Sequence, residues 1–87
     1  MYKVVLKTSD IEYKTDGESI DEALGKLGLT WEHIKAKGVI TVSKDKTTYE
    51  HLFYQRQLRR IFANKLTRLI WAKRLTLLLK ETAAMNG

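Results

Sequence analysis

Alternating apolar and polar residues predict two β-hairpins in this chain. In the first, Tyr2–Thr8 carries its apolar side chains at every second position, and Ile11–Thr15 returns after a short turn. In the second, Gly38–Ser43 is followed by a turn at residues 44–46 and by the alternating segment Thr47–Tyr54. Thr47 followed three residues later by Glu50 also fits a capping box that would open a helix early, but the alternation favours a strand.

Between the hairpins the sequence carries the start and stop signals of two short helices. Ser19 with Glu22 fits a capping box and Gly28 fits a helix C-terminus, which predicts a helix over Ile20–Leu27. Thr30 can cap a second helix over residues 31–37, closed by the glycine that opens the next strand. This spacing resembles a helix-turn-helix, and the following hairpin would then be its wing.

The segment from Gln55 to Lys80 predicts one long basic amphipathic helix. Apolar residues at helical spacing form a face expected to pack inward: Leu58, Ile61, Phe62, Leu66, Leu69 and Ala72. Beyond Ile70 a second apolar stripe of Trp71, Leu75 and Leu78 begins on another side. A straight helix of this length would span roughly 39 Å at about 1.5 Å per residue, more than a chain of this size is expected to be wide. Either the helix bends near Ala63–Asn64, where the Asn side chain can compete for backbone hydrogen bonds, or its Leu-rich end projects beyond the domain; we favour the bend.

Together these elements predict a small α+β fold formed by a single domain over residues 1–87. Residues 1–54 would form a mixed α/β platform, residues 55–80 the C-terminal helix, and residues 81–87 a frayed tail. The platform would hold an N-terminal β-hairpin, the two short helices and the second pair of strands.

Charge is distributed unevenly along the chain. The net charge is +6, yet residues 1–54 carry eight Lys and nine acids, whereas residues 55–87 carry five Arg and three Lys against one acid, Glu81. A surplus of Arg favours an anionic partner, because the guanidinium group matches phosphate and carboxylate. The same asymmetry fits self-association, in which the acids between Asp10 and Glu22 would meet the basic helix of a neighbour.

The composition limits the cellular compartments and the kinds of chemistry that we expect for this protein. There is no Cys, no apolar run of signal-peptide length and no apolar window long enough to cross a membrane, so we expect a cytoplasmic protein without integral membrane association. The two histidines, His33 and His51, lie in unrelated elements without a triad-like arrangement, and no spacing suggests metal ligands or a phosphate loop. We expect no catalytic residues, no metal, no cofactor and no enzyme activity.

Two function classes follow from these patterns. In the first, the protein is a nucleic-acid-binding module, for DNA or RNA, with phosphates contacted by cations of the helix, the hairpin tip and the second short helix. The predicted contacts are Arg56, Arg59, Arg60, Arg68, Arg74, Lys44, Lys46 and Lys35.

In the alternative, the protein is an assembly or adaptor module that forms a homo-oligomer or docks another protein through the C-terminal helix. Its interface would be the second stripe, continued to the end of the helix: Trp71, Leu75, Leu78 and Leu79. A membrane-surface helix ranks last, because the core is expected to need the apolar face.

Overall fold

The protein has an α+β fold, as the sequence predicted. A computed structural model describes residues 1–86, with side chains for residues 1–85. The elements in chain order are β1 (Tyr2–Lys7), β2 (Glu12–Gly17), α1 (Ile20–Lys26), a single 3-10 turn (Trp31–His33), β3 (Gly38–Lys44), β4 (Thr47–Phe53), α2 (Gln55–Ala63) and α3 (Lys65–Asn86).

The four strands form one antiparallel sheet in the order β2-β1-β3-β4. Opposite Val4 and Leu6 of β1 lie Val42 and Ile40 of β3, and all four side chains are fully buried on the face that the helices cover. The alternation of Thr47–Phe53 continues this face, so the strand prediction is confirmed and the early-helix alternative is excluded. β4 is therefore an edge strand that leads directly into α2.

The first helix begins and ends where the sequence predicted, to within a residue. Ser19 Oγ accepts the backbone N–H of Glu22 at 3.1 Å. Gly28 follows the helix at a φ of +63°, a left-handed conformation that glycine adopts without strain. α1 packs on β2 and β1 and contacts α3 on its other side.

The second short helix is much shorter than predicted. Helical structure stops after His33, and Ile34 is extended at φ −89° and ψ 104°. The Ile34 side chain is buried, and its carbonyl accepts bonds from Gln55 and Arg59 of α2, so the chain is held extended before it enters β3. A three-residue turn is too short to lie in a groove as the recognition helix of a helix-turn-helix. Lys35, predicted on that helix, lies exposed in the loop.

The C-terminal helix is bent at the predicted place, and the bend divides it in two. Asn64 is extended at φ −130° and ψ 116°, and its Oδ1 accepts the N–H groups of Leu66 at 2.9 Å and Thr67 at 3.1 Å. Asn64 is thus the N-cap of a new helix. α3 continues to Asn86, through the residues expected to fray; Gly87 lies outside the described residues.

The bend changes which side chains of α3 face the core. Leu75 and Leu79, predicted to face a partner, are buried, whereas Leu66 and Leu69, predicted to pack inward, are exposed. One extended residue rotates every later side chain relative to a straight helix, so the pattern drawn through Asn64 gave the wrong face. The predicted inward residues that do lie in the core are Leu58, Ile61, Phe62 and Ala72.

Candidate binding surfaces

Six of the eight predicted phosphate-contacting cations are exposed. They are Arg56, Arg60, Arg74, Lys35, Lys44 and Lys46. Arg56 and Arg60 lie one turn apart on α2, and Leu58, Ile61 and Phe62 are buried on the opposite side of that helix. Within the described side chains, neither arginine forms an ion pair. Their guanidinium groups are therefore available to an anionic partner.

The other two predicted contacts hold the fold together. Arg59 Nε donates to the Ile34 carbonyl at 3.1 Å, and the Arg59 guanidinium lies 5.7 Å from the centre of the Trp31 ring. Arg68 Nε lies 3.8 Å from Asp21 Oδ1, an ion pair between α3 and α1 that is too long to be a hydrogen bond. Because both side chains are half-buried and engaged, neither is offered to a partner as the sequence predicted.

Trp71 belongs to an aromatic cluster at the junction of α3 and β4. Its ring meets Phe53 edge-on at 4.8 Å between centroids and lies 5.3 Å from the His51 ring. The exposed Arg74 guanidinium lies 5.1 Å from the Trp71 ring centroid. Burial lowers the pKa of His51 below its ordinary value of 6.5, because desolvation disfavours the charged ring. Trp71 is thus half-buried in packing, and Arg74 is the part of the cluster that a partner can reach.

The cations at the hairpin tip lie far from those on α2. Lys44 and Lys46 flank the turn residue Asp45, and Lys44 Nζ lies 4.7 Å from the Tyr2 ring centroid. β4 runs from this tip to the start of α2 over seven residues, a distance of about 20 Å at about 3.3 Å per residue. Between the two ends, Arg74 lies over Trp71, whose ring contacts His51 and Phe53 of β4. Exposed cations therefore occur along the length of the β4 side of the molecule.

The part of the chain that follows Glu50 of β4 carries cations without acids between them. Between Glu50 and Glu81 there is no Asp or Glu, whereas five Arg and three Lys lie in that stretch. Positive potential from neighbouring cations adds up when no acid interrupts them. α2 and the first four turns of α3 thus form the basic part of the protein.

A second surface is apolar and lies on the outer side of α3. We call Leu66, Leu69, Ile70 and Leu77 the α3 ridge; their side chains are 66%, 39%, 48% and 59% exposed. Beside the ridge, an open groove of about 460 Å³ separates α3 from the first turn of α1. Its lining residues are Ser19, Ile20, Asp21, Leu69, Ala72, Lys73, Thr76 and Leu77. Exposed apolar side chains grouped on one side of a helix are typical of interaction surfaces.

The α3 ridge is not the interface that the sequence predicted. Of the four predicted interface residues, Leu75 and Leu79 are in the core, and Trp71 and Leu78 are half-buried. The sequence does contain a signal for the helix that starts after Asn64. Asn is among the preferred N-cap residues, so a new helical register starting at Asn64 would have placed the ridge outside.

The comparisons with protein-family models, with curated proteins and with solved structures found no match to this chain. None of the helices within residues 1–86 is long and apolar enough to cross a membrane.

Proposed function

We propose that the protein is a small, non-enzymatic, cytoplasmic binding module whose partner is nucleic acid. The observation that carries this proposal is the basic stretch between Glu50 and Glu81, on which Arg56, Arg60 and Arg74 are exposed. Phosphate contacts dominate the affinity of proteins for nucleic acid and need no shaped pocket.

The proposed interface is the outer side of α2 extended along β4. Side chains one helical turn apart have Cβ atoms about 5–6 Å from each other, so Arg56 and Arg60 can contact the same strand backbone. Arg74 continues the surface towards the hairpin, where Lys44 and Lys46 would contact phosphate farther along. Arg59 supports this surface from within, through its hydrogen bond to the Ile34 carbonyl, whereas Arg68 pairs with Asp21 of α1.

The test is fluorescence anisotropy of a labelled random DNA duplex, titrated with protein at several salt concentrations from about 50 to about 200 mM. We expect affinity to fall steeply with salt, by a logarithmic slope of about 0.9 per phosphate contact. The double variant Arg56→Gln/Arg60→Gln should lower that slope by about two units.

The matched control removes two charges from the opposite face of the sheet. Lys3→Gln/Lys14→Gln changes net charge equally but lies on β1 and β2, away from α2. We expect it to leave most of the slope unchanged. Equal losses in the two double variants would show that net charge alone drives binding, and absence of binding at about 50 mM salt would reject the proposal.

The α3 ridge favours a second function, protein assembly through the C-terminal helix. Exposed leucines contribute little to phosphate binding but can be buried against another protein. The variant Leu77→Gln separates the two functions. It should leave duplex binding and its salt dependence unchanged while weakening assembly.

A further inference from the structure

We infer that the α3 ridge is covered by a second copy of this chain, with the two α3 helices packed antiparallel about a two-fold axis. This inference rests on the assembly function proposed above and names its partner. It concerns a surface separate from the arginines of α2.

The apolar residues of the ridge are arranged to meet another helix. At about 100° per residue, Leu66, Ile70 and Leu77 lie within about 40° of the direction opposite the buried Leu75. They form a narrow row along the helix, with Lys73 as the polar residue within it. The groove between α3 and α1 runs beside this row, and helices pack by placing a ridge of one into a groove of the other.

Charge around the ridge favours a second copy over an anionic polymer or surface. The helical face contains acids of its own: Asp21 lines the groove and pairs with Arg68, while Glu18 and Glu22 lie exposed at the start of α1, where Glu22 also forms a surface ion pair with Lys26. Because such an exposed pair contributes little, the carboxylates of Glu18 and Glu22 would still repel phosphate or anionic headgroups. In contrast, Lys73 and Lys80 of a second α3 would find them attractive, and the two-fold axis repeats each such contact.

The direction of the second helix follows from the positions of the same groups. With the axis between Ile70 and Lys73, Leu66 of each copy meets Leu77 of the other and Ile70 of each copy meets Lys73 of the other. The two Ile70 side chains then lie on either side of the axis, within one helical turn of each other. An antiparallel arrangement also brings Glu81 towards the basic start of the other α3. A parallel pair would instead place each Lys80 directly beside its counterpart, which is unfavourable, whereas the antiparallel pair places the two Lys80 side chains at opposite ends of the interface.

The first experiment is sedimentation equilibrium without nucleic acid, over protein concentrations up to about 1 mM. We expect a monomer–dimer equilibrium in which Leu66→Gln or Leu77→Gln raises Kd at least about tenfold, because each substitution removes two symmetric contacts. The control is Leu52→Gln on the open face of the sheet, since Leu52 is similarly exposed at 50%. It should leave Kd unchanged. Urea midpoints measured on the monomers confirm that each variant folds.

The second experiment fixes the direction of the helices. The chain has no Cys of its own, so single substitutions can be crosslinked by oxidation without background. We expect Ile70→Cys to form a disulfide-linked dimer rapidly and Leu66→Cys to form one slowly, because only position 70 lies near the axis. Equal rapid crosslinking at both positions would indicate parallel helices and contradict the arrangement.

Other results would overturn the second copy as the partner. A monomer at about 1 mM would do so, as would a dimer indifferent to Leu66→Gln and Leu77→Gln. A monomer that pellets with anionic phospholipid vesicles through Leu77 would assign the ridge to a lipid surface instead. In each case duplex binding that stays steeply salt-dependent would leave the nucleic-acid proposal intact, whereas a dimer without duplex binding would reject that proposal alone.

Discussion

The sharpest structural prediction compares Leu75→Ala with Leu66→Ala. A straight helix through Asn64 would place Leu66 in the core and Leu75 outside, and the structure places them the other way round. Leu75 is fully buried, whereas Leu66 is 66% exposed. Truncating a buried leucine to alanine costs about 2–5 kcal/mol, from lost burial and from the cavity left behind. At an exposed position the change is within about 0.5 kcal/mol.

These magnitudes are large compared with the whole stability of such a chain. A domain of 87 residues is stabilised by about 4–13 kcal/mol, so Leu75→Ala removes a substantial fraction. Urea unfolding followed by far-ultraviolet circular dichroism measures it. With an m-value of about 1 kcal/mol per molar urea, the midpoint should fall by about 2 M or more for Leu75→Ala and hardly move for Leu66→Ala.

The comparison is made at low protein concentration, so that assembly through the ridge does not contribute. A loss in Leu66→Ala that equals or exceeds the loss in Leu75→Ala would refute the change of register at Asn64. Such a result would indicate a single straight helix, in which Leu66 is buried and Leu75 is exposed.

Three further predictions concern the cap, two glycines and one histidine. Asn64→Ala should lower the free energy of unfolding by about 1 kcal/mol in urea titrations because it removes the N-cap of α3, while Asn64→Asp should retain most of it; equal losses would contradict the capping role. Gly17→Ala should destabilise by about 1–3 kcal/mol, since its new Cβ would lie 2.9 Å from the backbone nitrogen of Ala23. Gly25→Ala, in an exposed position of α1 with nothing within 4 Å, should stabilise by about 0.5–1 kcal/mol, and a loss there would be the contrary result. Because burial lowers the pKa of His51, this side chain binds a proton more readily in the unfolded chain than in the folded one. The neutral His51 ring therefore contributes its full share of stability above about pH 6.5, and this contribution declines as the pH falls towards the lowered folded-state pKa. His51→Phe should remove that part of the pH dependence between about pH 7.5 and 5.5, and an unchanged difference would exclude His51 as its source.

Local patterns in the sequence predicted the elements whose conformation is decided by residues close together in the chain. β4 is an example: residues at every second position of Thr47–Phe53 face the helices, so a period of two identified the strand. α1 is another, because Ser19 and Gly28 satisfy its ends through contacts a few residues away. In both cases the residues that reveal the element lie within it or directly beside it in the sequence.

The errors arose where a distant contact decided the conformation. The segment after His33 had the composition of a helix, but the Ile34 carbonyl is held by Gln55 and Arg59, which lie more than 20 residues later. Arg68 was placed among the phosphate contacts because no sequence pattern shows that α1 brings Asp21 beside it. Helical periodicity predicts on which side of a helix a residue lies, but it does not predict which other element packs against that side.

The conformation of one residue, Asn64, decides which side chains of α3 are exposed. The bend near Asn64 was expected from its side chain, yet the apolar face was still drawn as one stripe through it. Because Asn64 is extended, the stripe restarts, and Leu66, Leu69, Ile70 and Leu77 become the exposed ridge. A break between helices therefore has to be followed by a new assignment of faces.

One measurement tests most directly the claim that the outer side of α2 binds nucleic acid. It is a titration of ¹⁵N-labelled protein with a DNA duplex in low salt, followed by NMR of backbone amides and of arginine Nε–H groups. We expect the Nε–H signals of Arg56 and Arg60 to shift with saturation, while the amides of Leu66, Ile70 and Leu77 stay in place. Shifts confined to the α3 ridge, or no shift at either arginine, would contradict the proposal.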